Sequence, residues 1–257
     1  MEKYLENTLF IGKPILHFSI LDSTNDYAKL LLTNNTPKNG TVILADYQSE
    51  GRGQQDNSWE SEEGKNLLFS LILYPKLLPA EQQFFMNMAI CNGIIEGLSY
   101  LVKIPKLSIK WPNDIMIGDR KLAGILIENA ISGIQIKYAV VGIGINIYQC
   151  NWKAIDTAIS LGAYIPEGHL SRWQILESIL IAIERNYYLL ERGKHNLIKD
   201  TYMKHLYRHD GHYHQFRRGD KEFAAKILDV CADGRLKLLE EYSQSVGDYV
   251  LKEIKFI

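Results

Sequence analysis

The residues best suited to chemistry fall in four short segments. The first runs Gln48-Ser49-Glu50-Gly51-Arg52-Gly53-Gln54-Gln55-Asp56-Asn57-Ser58-Trp59. Glycines let backbone amides approach an anion closely. Arg52, between Gly51 and Gly53, can grip a phosphate or carboxylate through its planar fork. Trp59 offers an apolar face able to cover a ring. A solvated surface loop would have the same composition. The second segment is Lys110-Trp111-Pro112-Asn113-Asp114. A lysine closing a buried strand is costly unless it meets an anion. That anion is either a ligand or Asp114, in an internal ion pair. Arg120-Lys121-Leu122-Ala123-Gly124 follows one hairpin later. Lys121 offers another cation there, although hairpin lysines ordinarily point to solvent. The fourth is Val141-Gly142-Ile143-Gly144-Ile145-Asn146, where two glycines in a strand suggest close approach by a ligand or another backbone.

Several chemistries are excluded by spacing. The glycines at 142 and 144 lack the Gly-x-Gly-x-x-Gly pattern and a following helix, so a dinucleotide fold fails. No Gly-x-x-x-x-Gly-Lys-Ser/Thr or Gly-x-Ser-x-Gly occurs, which excludes a P-loop and gives no sign of a serine hydrolase. His205 and His209, at i and i+4, would suit a metal only on a helix. Cys91 falls mid-helix among apolar residues and Cys150 follows a strand, so neither has an activating setting.

Elements that must position these segments can be read along the chain. Asp22-Ser23-Thr24-Asn25 is a cluster of capping residues opening a short helix with Tyr27, Ala28 and Leu30 to Leu32. Residues 41–45 and 66–74 read as buried strands, and 48–65, polar and without period, as a long loop. Pro79 and Glu81 open a helix through Leu98. Short strands follow at 107–111, 115–117, 121–130 and 134–147, with Gly118-Asp119 and Ser132-Gly133 as turns. Helices are expected over 171–190 and 195–206. Beyond that, closely spaced runs at 213–216, 223–230, 236–240 and 249–254 suggest a small barrel. The spacing predicts two domains, 1–208 and 209–257.

Composition sets the broad class. Of 257 residues, 46% are apolar and 23% charged, values ordinary for a globular chain long enough to bury a sizeable core. Basic residues number 29 and acidic ones 30, so no excess charge points to DNA or an anionic membrane as partner. Three scattered cysteines make neither a disulfide framework nor a Cys-x-x-Cys zinc site, and a reducing cytoplasm is the natural expectation. The start of the chain lacks the long apolar run of a signal peptide.

Taken in order, these segments resemble the biotin protein ligase (biotin–acetyl-CoA-carboxylase ligase) family. The matching pieces are Asp22-Ser23-Thr24-Asn25; Gln48 with Gly51-Arg52-Gly53 and Trp59; Gly64-Lys65-Asn66-Leu67; Lys110-Trp111-Pro112-Asn113-Asp114; Arg120-Lys121-Leu122-Ala123-Gly124-Ile125-Leu126; and Gly142-Ile143-Gly144-Ile145-Asn146. They span about the first 150 residues. The resemblance implies an α+β fold: a catalytic domain like that of class II aminoacyl-tRNA synthetases, a mixed sheet flanked by helices, plus a C-terminal SH3-like barrel. It implies ATP-dependent ligation of biotin, through biotinyl-5′-AMP and with Mg²⁺, to a lysine of a biotin carboxyl carrier protein. Biotin contacts are expected from Ser23, Thr24, Asn25, Gln48, Gly51, Arg52, Gly53, Lys110, Gly124 and Gly142. ATP and adenylate contacts are expected from Arg52, Gly53, Gln54, Trp59, Lys110, Asn113 and Asn146. Lys110 and Arg52 are the expected catalytic cations, and Asp114 is a candidate Mg²⁺ ligand that could equally hold the turn. Ser23-Thr24 stands so near the start that the short form is expected, without an N-terminal DNA-binding domain. A second copy of the chain is a further candidate partner.

The loop departs from the family pattern. Gln54, Gln55 and Asp56 stand where further arginines and a glycine are usual, and fewer cations should loosen the grip on the intermediate. Two rivals share parts of the pattern. A lipoate–protein ligase should carry an Arg-Arg-x-Ser-Gly-Gly-Gly-type loop, which is missing. A non-catalytic biotin-binding module would have no use for Lys110 and Arg52 together.

Overall fold

The apolar run expected at 66–74 is the centre of the molecule. The computed structural model describes residues 2, 3, 5–54, 57–152 and 157–257. In chain order its elements are β1 (Glu2–Lys3), β2 (Ile15–Leu21), α1 (Thr24–Asn34), β3 (Thr41–Gln48), β4 (Leu67–Leu73), α2 (Phe84–Leu101), β5 (Leu107–Lys110), β6 (Asp114–Ile117), β7 (Arg120–Ser132) and β8 (Gln135–Ile145). They continue with α3 (Arg172–Glu191), α4 (His195–Lys204), β9 (His214–Arg218), β10 (Lys221–Val230), β11 (Leu236–Glu240), β12 (Val246–Tyr249) and β13 (Lys255–Phe256). Among the described residues eight strands make one sheet in the order β1-β2-β3-β4-β8-β7-β6-β5. It is mixed: β2 and β3 run parallel, and the remaining neighbours are antiparallel.

Every residue of β4 is buried, because both faces of the sheet are covered and the strand needs no polar side. Period-two alternation divides its apolar residues between two cores. Ile72 joins Ile43, Val140 and Ala28 beneath α1. Leu71 and Leu73 face the larger core with α2 and α3. Gly93 and Gly97 on α2 let α3 come close. A Cβ on Gly93 would lie 2.7 Å from the Ile183 Cα, and one on Gly97 2.6 Å from the Ile179 Cα. At the start of α3, Ser171 and Gln174 form a reciprocal capping box. Glu184, buried on α3, accepts hydrogen bonds from the backbone amides of Leu9, Phe10 and Ile11. Three charge-assisted donors offset the desolvation of that carboxylate and pin the N-terminal segment.

Strands β9 to β13 form a second, antiparallel sheet in the order β12-β11-β10-β9-β13. It is joined to the first body beside β5. The Trp111 indole Nε1 donates to the Gly234 carbonyl at 2.9 Å, and the Phe84 amide donates to the Ala232 carbonyl at 3.1 Å.

Four expectations shift. β2 carried no clean alternation and escaped the sequence reading; its burial along the strand is irregular. The helix expected from Pro79 starts as a 3-10 turn, Ala80–Gln82, before α2. The last expected helix stops at Lys204, so His205 caps its end and the His209 ring meets the Met203 carbonyl instead of pairing across a turn. The strand expected at 249–254 is a turn closed by Glu253 N–H to the Val250 carbonyl, with β12 before it and β13 after.

The α2–α3 contact gives a direct test. Gly97→Ala should destabilise the chain by ~1–3 kcal/mol, the cost of overpacking a close helix contact, read as a lower denaturation midpoint. An unchanged midpoint would show that α3 can move away freely.

Candidate active site

A cleft of about 660 Å³ opens over β7 and β8, within the range typical of small-molecule sites. Its walls are the start of α1, the 48–65 loop, the β5–β6 turn, and residues near the end of the second sheet. Of the residues singled out in the sequence, Ser23, Thr24, Asn25, Gln48, Arg52, Gly53, Gln54, Trp59, Lys110, Asn113, Asp114, Gly124 and Gly142 line it.

One end is a network of hydrogen-bonding side chains. Gln48 Oε1 accepts from the Thr24 amide at 2.7 Å and from the Thr24 hydroxyl at 3.0 Å. This leaves the Gln48 side-chain N–H groups to be presented to a ligand. The Ser70 hydroxyl lies 2.7 Å from Thr24 Oγ1 and 2.6 Å from Asn25 Oδ1. Asn25 Nδ2 donates to Glu128 at 2.8 Å. Ser23 caps α1 by accepting from the Asp26 amide at 3.4 Å. Asn25 sits so close to β8 that a Cβ on Gly142 would overlap its carboxamide. Sequence reasoning missed Ser70 and Glu128. The available signal for Ser70 was a lone hydroxyl inside an otherwise apolar strand.

The middle of the cleft is floored by bare backbone. Gly124 on β7 and Gly144 on β8 are cross-strand partners, and the Trp59 indole lies against both. A Cβ on Gly144 would stand 2.5 Å from the indole, and one on Gly124 2.9 Å. The loop reaches this position by folding on itself: the Trp59 amide donates to the Gly51 carbonyl at 2.8 Å, and that of Gly53 to Asn57 at 2.6 Å. Gly51 is therefore a backbone requirement of the loop and does not line the cleft. Gln54 does line it; Gln55 and Asp56 lie outside the described residues.

Four cations line the cleft, Arg52, Lys110, Lys121 and Lys255. Lys121, expected to be solvated, points inward: its Nζ is 2.6 Å from Asp114 and 5.6 Å from the Trp59 ring centre. Asp114 is thus paired with Lys121 and not with Lys110. Among the described residues Lys110 makes no ion pair. Its Nζ lies 5.4 Å from the centre of the Phe256 ring. Burial lowers its pKa below the usual lysine range, against the opposing pull of Asp114. Arg52 is tied to acids at the rim, 2.5 Å from Asp26 and 3.5 Å from Glu128, with Lys29 bridging the same two carboxylates.

Two expected contacts are engaged elsewhere. Asn146 is buried outside the cleft wall, its amide turned to the Ile159 carbonyl at 3.3 Å. Asn113 lines the cleft, but its amide is used on the Ile125 carbonyl, so it also holds the turn. Among the described residues no group of three or more His, Cys, Asp or Glu is arranged to hold a metal. The Asp114–Lys121 pair does not fit a resident Mg²⁺ cage. Burial pushes the Cys91 thiol up, which leaves it unreactive. Among the described residues no helix is long and apolar enough to cross a membrane.

Comparison with known proteins agrees with this architecture. The model of the biotin/lipoate A/B protein ligase family matches residues 17–146. The bifunctional ligase/repressor BirA of Bacillus subtilis is 32% identical over 186 residues, covering 70% of this chain and 55% of the relative. The biotin--[acetyl-CoA-carboxylase] ligase of Paracoccus denitrificans is 34% identical over 129 residues, 49% of this chain and 51% of that one. The chain spans about half the length of the curated relatives it matches. Among solved structures, the biotin protein ligase from Aquifex aeolicus in complex with biotin and ATP superposes with a TM-score of 0.75 at 25% identity, covering 94% of this chain and 97% of that one. The expected mixed sheet with flanking helices is therefore the fold of this chain, with an antiparallel sheet where a small SH3-like barrel was expected, and by the family match over residues 17–146 it belongs to the biotin/lipoate A/B protein ligase family.

Proposed function

We propose that this chain joins biotin to a lysine of a biotin carboxyl carrier protein, using ATP and passing through biotinyl-5′-AMP. One observation carries the reading: a single cleft combines directional hydrogen-bonding groups around Thr24 and Gln48 with cations, Lys110 and Lys121 beside the β5–β6 turn and Arg52 at the rim. Biotin has a ureido ring that both donates and accepts, and Gln48 and Thr24 are matched to it. Lipoate's dithiolane would leave the Gln48 side-chain N–H groups unpaired, a penalty in a site built for hydrogen bonding. The names of the relatives point the same way, since they include biotin ligases and a structure with biotin and ATP.

In the first half-reaction a biotin carboxylate oxygen attacks the α-phosphorus and pyrophosphate leaves. A carboxylate approaching a polyanion is repelled, and Lys110, Lys121 and Arg52 offset that repulsion as charge builds on the phosphate oxygens. Arg52 does so by exchanging Asp26 and Glu128 for phosphate. The Mg²⁺ expected with ATP would enter as part of the nucleotide substrate, and Asp114, paired with Lys121, is not offered as its ligand. In the second half-reaction the neutral amine of the acceptor lysine attacks the acyl carbonyl. An amide forms, AMP leaves, and the amine's proton passes to solvent. Three free cysteines support a reducing, cytoplasmic setting for this chemistry.

Three measurements test the reading. Exchange of pyrophosphate into ATP should depend on biotin; equal exchange with lipoate, or exchange with lipoate alone, overturns the assignment. Lys110→Ala should cut adenylation at least ~10²-fold, the scale for losing one preorganised charge, with little change in melting temperature. A variant that unfolds while its folded fraction stays active would make Lys110 structural only. Hydrogen exchange across residues 48–65 should slow when biotin and ATP are added, as Arg52 and the loop amides gain a phosphate partner. Unchanged exchange would sever the loop from nucleotide binding.

A further inference from the structure

One wall of the cleft comes from neither the eight-stranded sheet nor its loops. Leu251, Ile254 and Phe256, from the end of the second sheet, line it. Phe256 is held firmly. It pairs with Phe216 across β13 and β9, with ring centres 5.0 Å apart, and its ring is 6.2 Å from that of Tyr207. The next residue is tied on both sides: the Ile257 amide donates to the Gln215 carbonyl at 3.2 Å, and Arg208 Nη1 donates to the Ile257 carbonyl at 2.7 Å. The ring so fixed presents itself to Lys110 Nζ at 5.4 Å.

We propose that Phe256 is a positioning residue for adenylation, its ring holding the Lys110 ammonium in the cleft where a carboxylate partner would otherwise be needed. The proposal rests on the reading of the cleft as biotin-adenylating. A carboxylate would orient the ammonium but also cancel its charge. An aromatic face attracts a cation through its quadrupole and carries no net charge, so the full positive charge stays available to phosphate. The surrounding groups leave this task to the ring. Asp114 on β6 is bound to Lys121 on β7. Asp119, in the β6–β7 turn, accepts the Tyr207 hydroxyl at 2.5 Å. Arg208 and Lys121 are like charges that repel the ammonium. The second sheet thereby contributes to chemistry on the first.

Phe256→Leu keeps an apolar wall and removes the ring. The variant should lose about tenfold in kcat for biotin-dependent pyrophosphate exchange, with KM for biotin unchanged, while Phe256→Tyr keeps most of the rate. The sign of the pH effect follows from the surroundings. Without the ring, burial, Arg208 and Lys121 still disfavour the ammonium, so Lys110 gives up its proton at lower pH. The alkaline limb of the rate profile should move down with it. NMR titration of Cε-labelled lysine, with Lys110 assigned through Lys110→Arg, reads the same shift without turnover; Phe256→Met replaces the Leu variant should the latter unfold. An unmoved Lys110 titration overturns the proposal. Equal losses in the Leu and Tyr variants overturn it too, since packing and not the ring's charge distribution would then be at work. Should the unaltered chain show no biotin-dependent exchange, the functional reading fails separately, and the titration still decides whether Phe256 holds Lys110.

Discussion

The seating of Asn25 on the bare backbone of Gly142 is the constraint from which the cleft follows. A side chain at 142 would overlap the Asn25 carboxamide, so the start of α1 can approach the sheet only there. Once seated, Asn25 is bonded to Ser70 on β4 and Glu128 on β7, which fixes Thr24 beside Gln48 on β3. A helix start, three strands and a loop entrance are thus locked by one asparagine and one missing Cβ. The period-two rule puts Gly144 on the same face as Gly142. The two glycines therefore form one strip of exposed backbone, filled at one place by Asn25 and at the next by Trp59.

Charge is distributed by the same geometry. The hydrogen-bonding network lies where the helix meets the sheet, with Arg52 at its rim beside Asp26 and Glu128, and Lys110 and Lys121 lie toward the β5–β6 turn. Arg52 is the movable member of the set. At 41% side-chain exposure it is held by carboxylates at the rim, in pairs that are each weak in water. A phosphate arriving in the cleft can therefore take the guanidinium from Asp26 and Glu128 at small cost. Lys110 and Lys121 are fixed by contrast, one against a ring and the other between an acid and an indole.

Much of this was legible in the sequence, and what was not has a physical reason. Strands β3, β4 and β8 announced themselves because a sheet covered on both faces demands unbroken apolar runs. The glycines at 142 and 144 were legible as sites of close approach, but not what approaches, since Asn25 and Trp59 arrive from more than eighty residues away in sequence. The sequence left Lys110 to meet either a ligand or Asp114, its near neighbour in the chain. The structure gives Asp114 to Lys121, whose side chain reaches it from the neighbouring strand. Local spacing reports which residues share a turn; it does not report which of two lysines wins the acid. For Asn146 the family resemblance implied an adenylate contact, yet its amide serves the Ile159 carbonyl behind the cleft.

The second sheet illustrates the limit most clearly. Its strands were recognisable as short punctuated runs, whereas its bearing on the cleft was not, because a run such as Glu253-Ile254-Lys255-Phe256 carries no mark of the surface it will face. Two of the contacts that set that surface are Trp111 to Gly234 and Phe84 to Ala232. Trp111 is the neighbour of Lys110, so the residue that docks the second sheet and the residue that carries charge into the cleft belong to one short strand end. Docking and charge placement are therefore coupled through adjacent residues. A shift of the second sheet would move the ring beneath Lys110 and the backbone bearing Lys110 together.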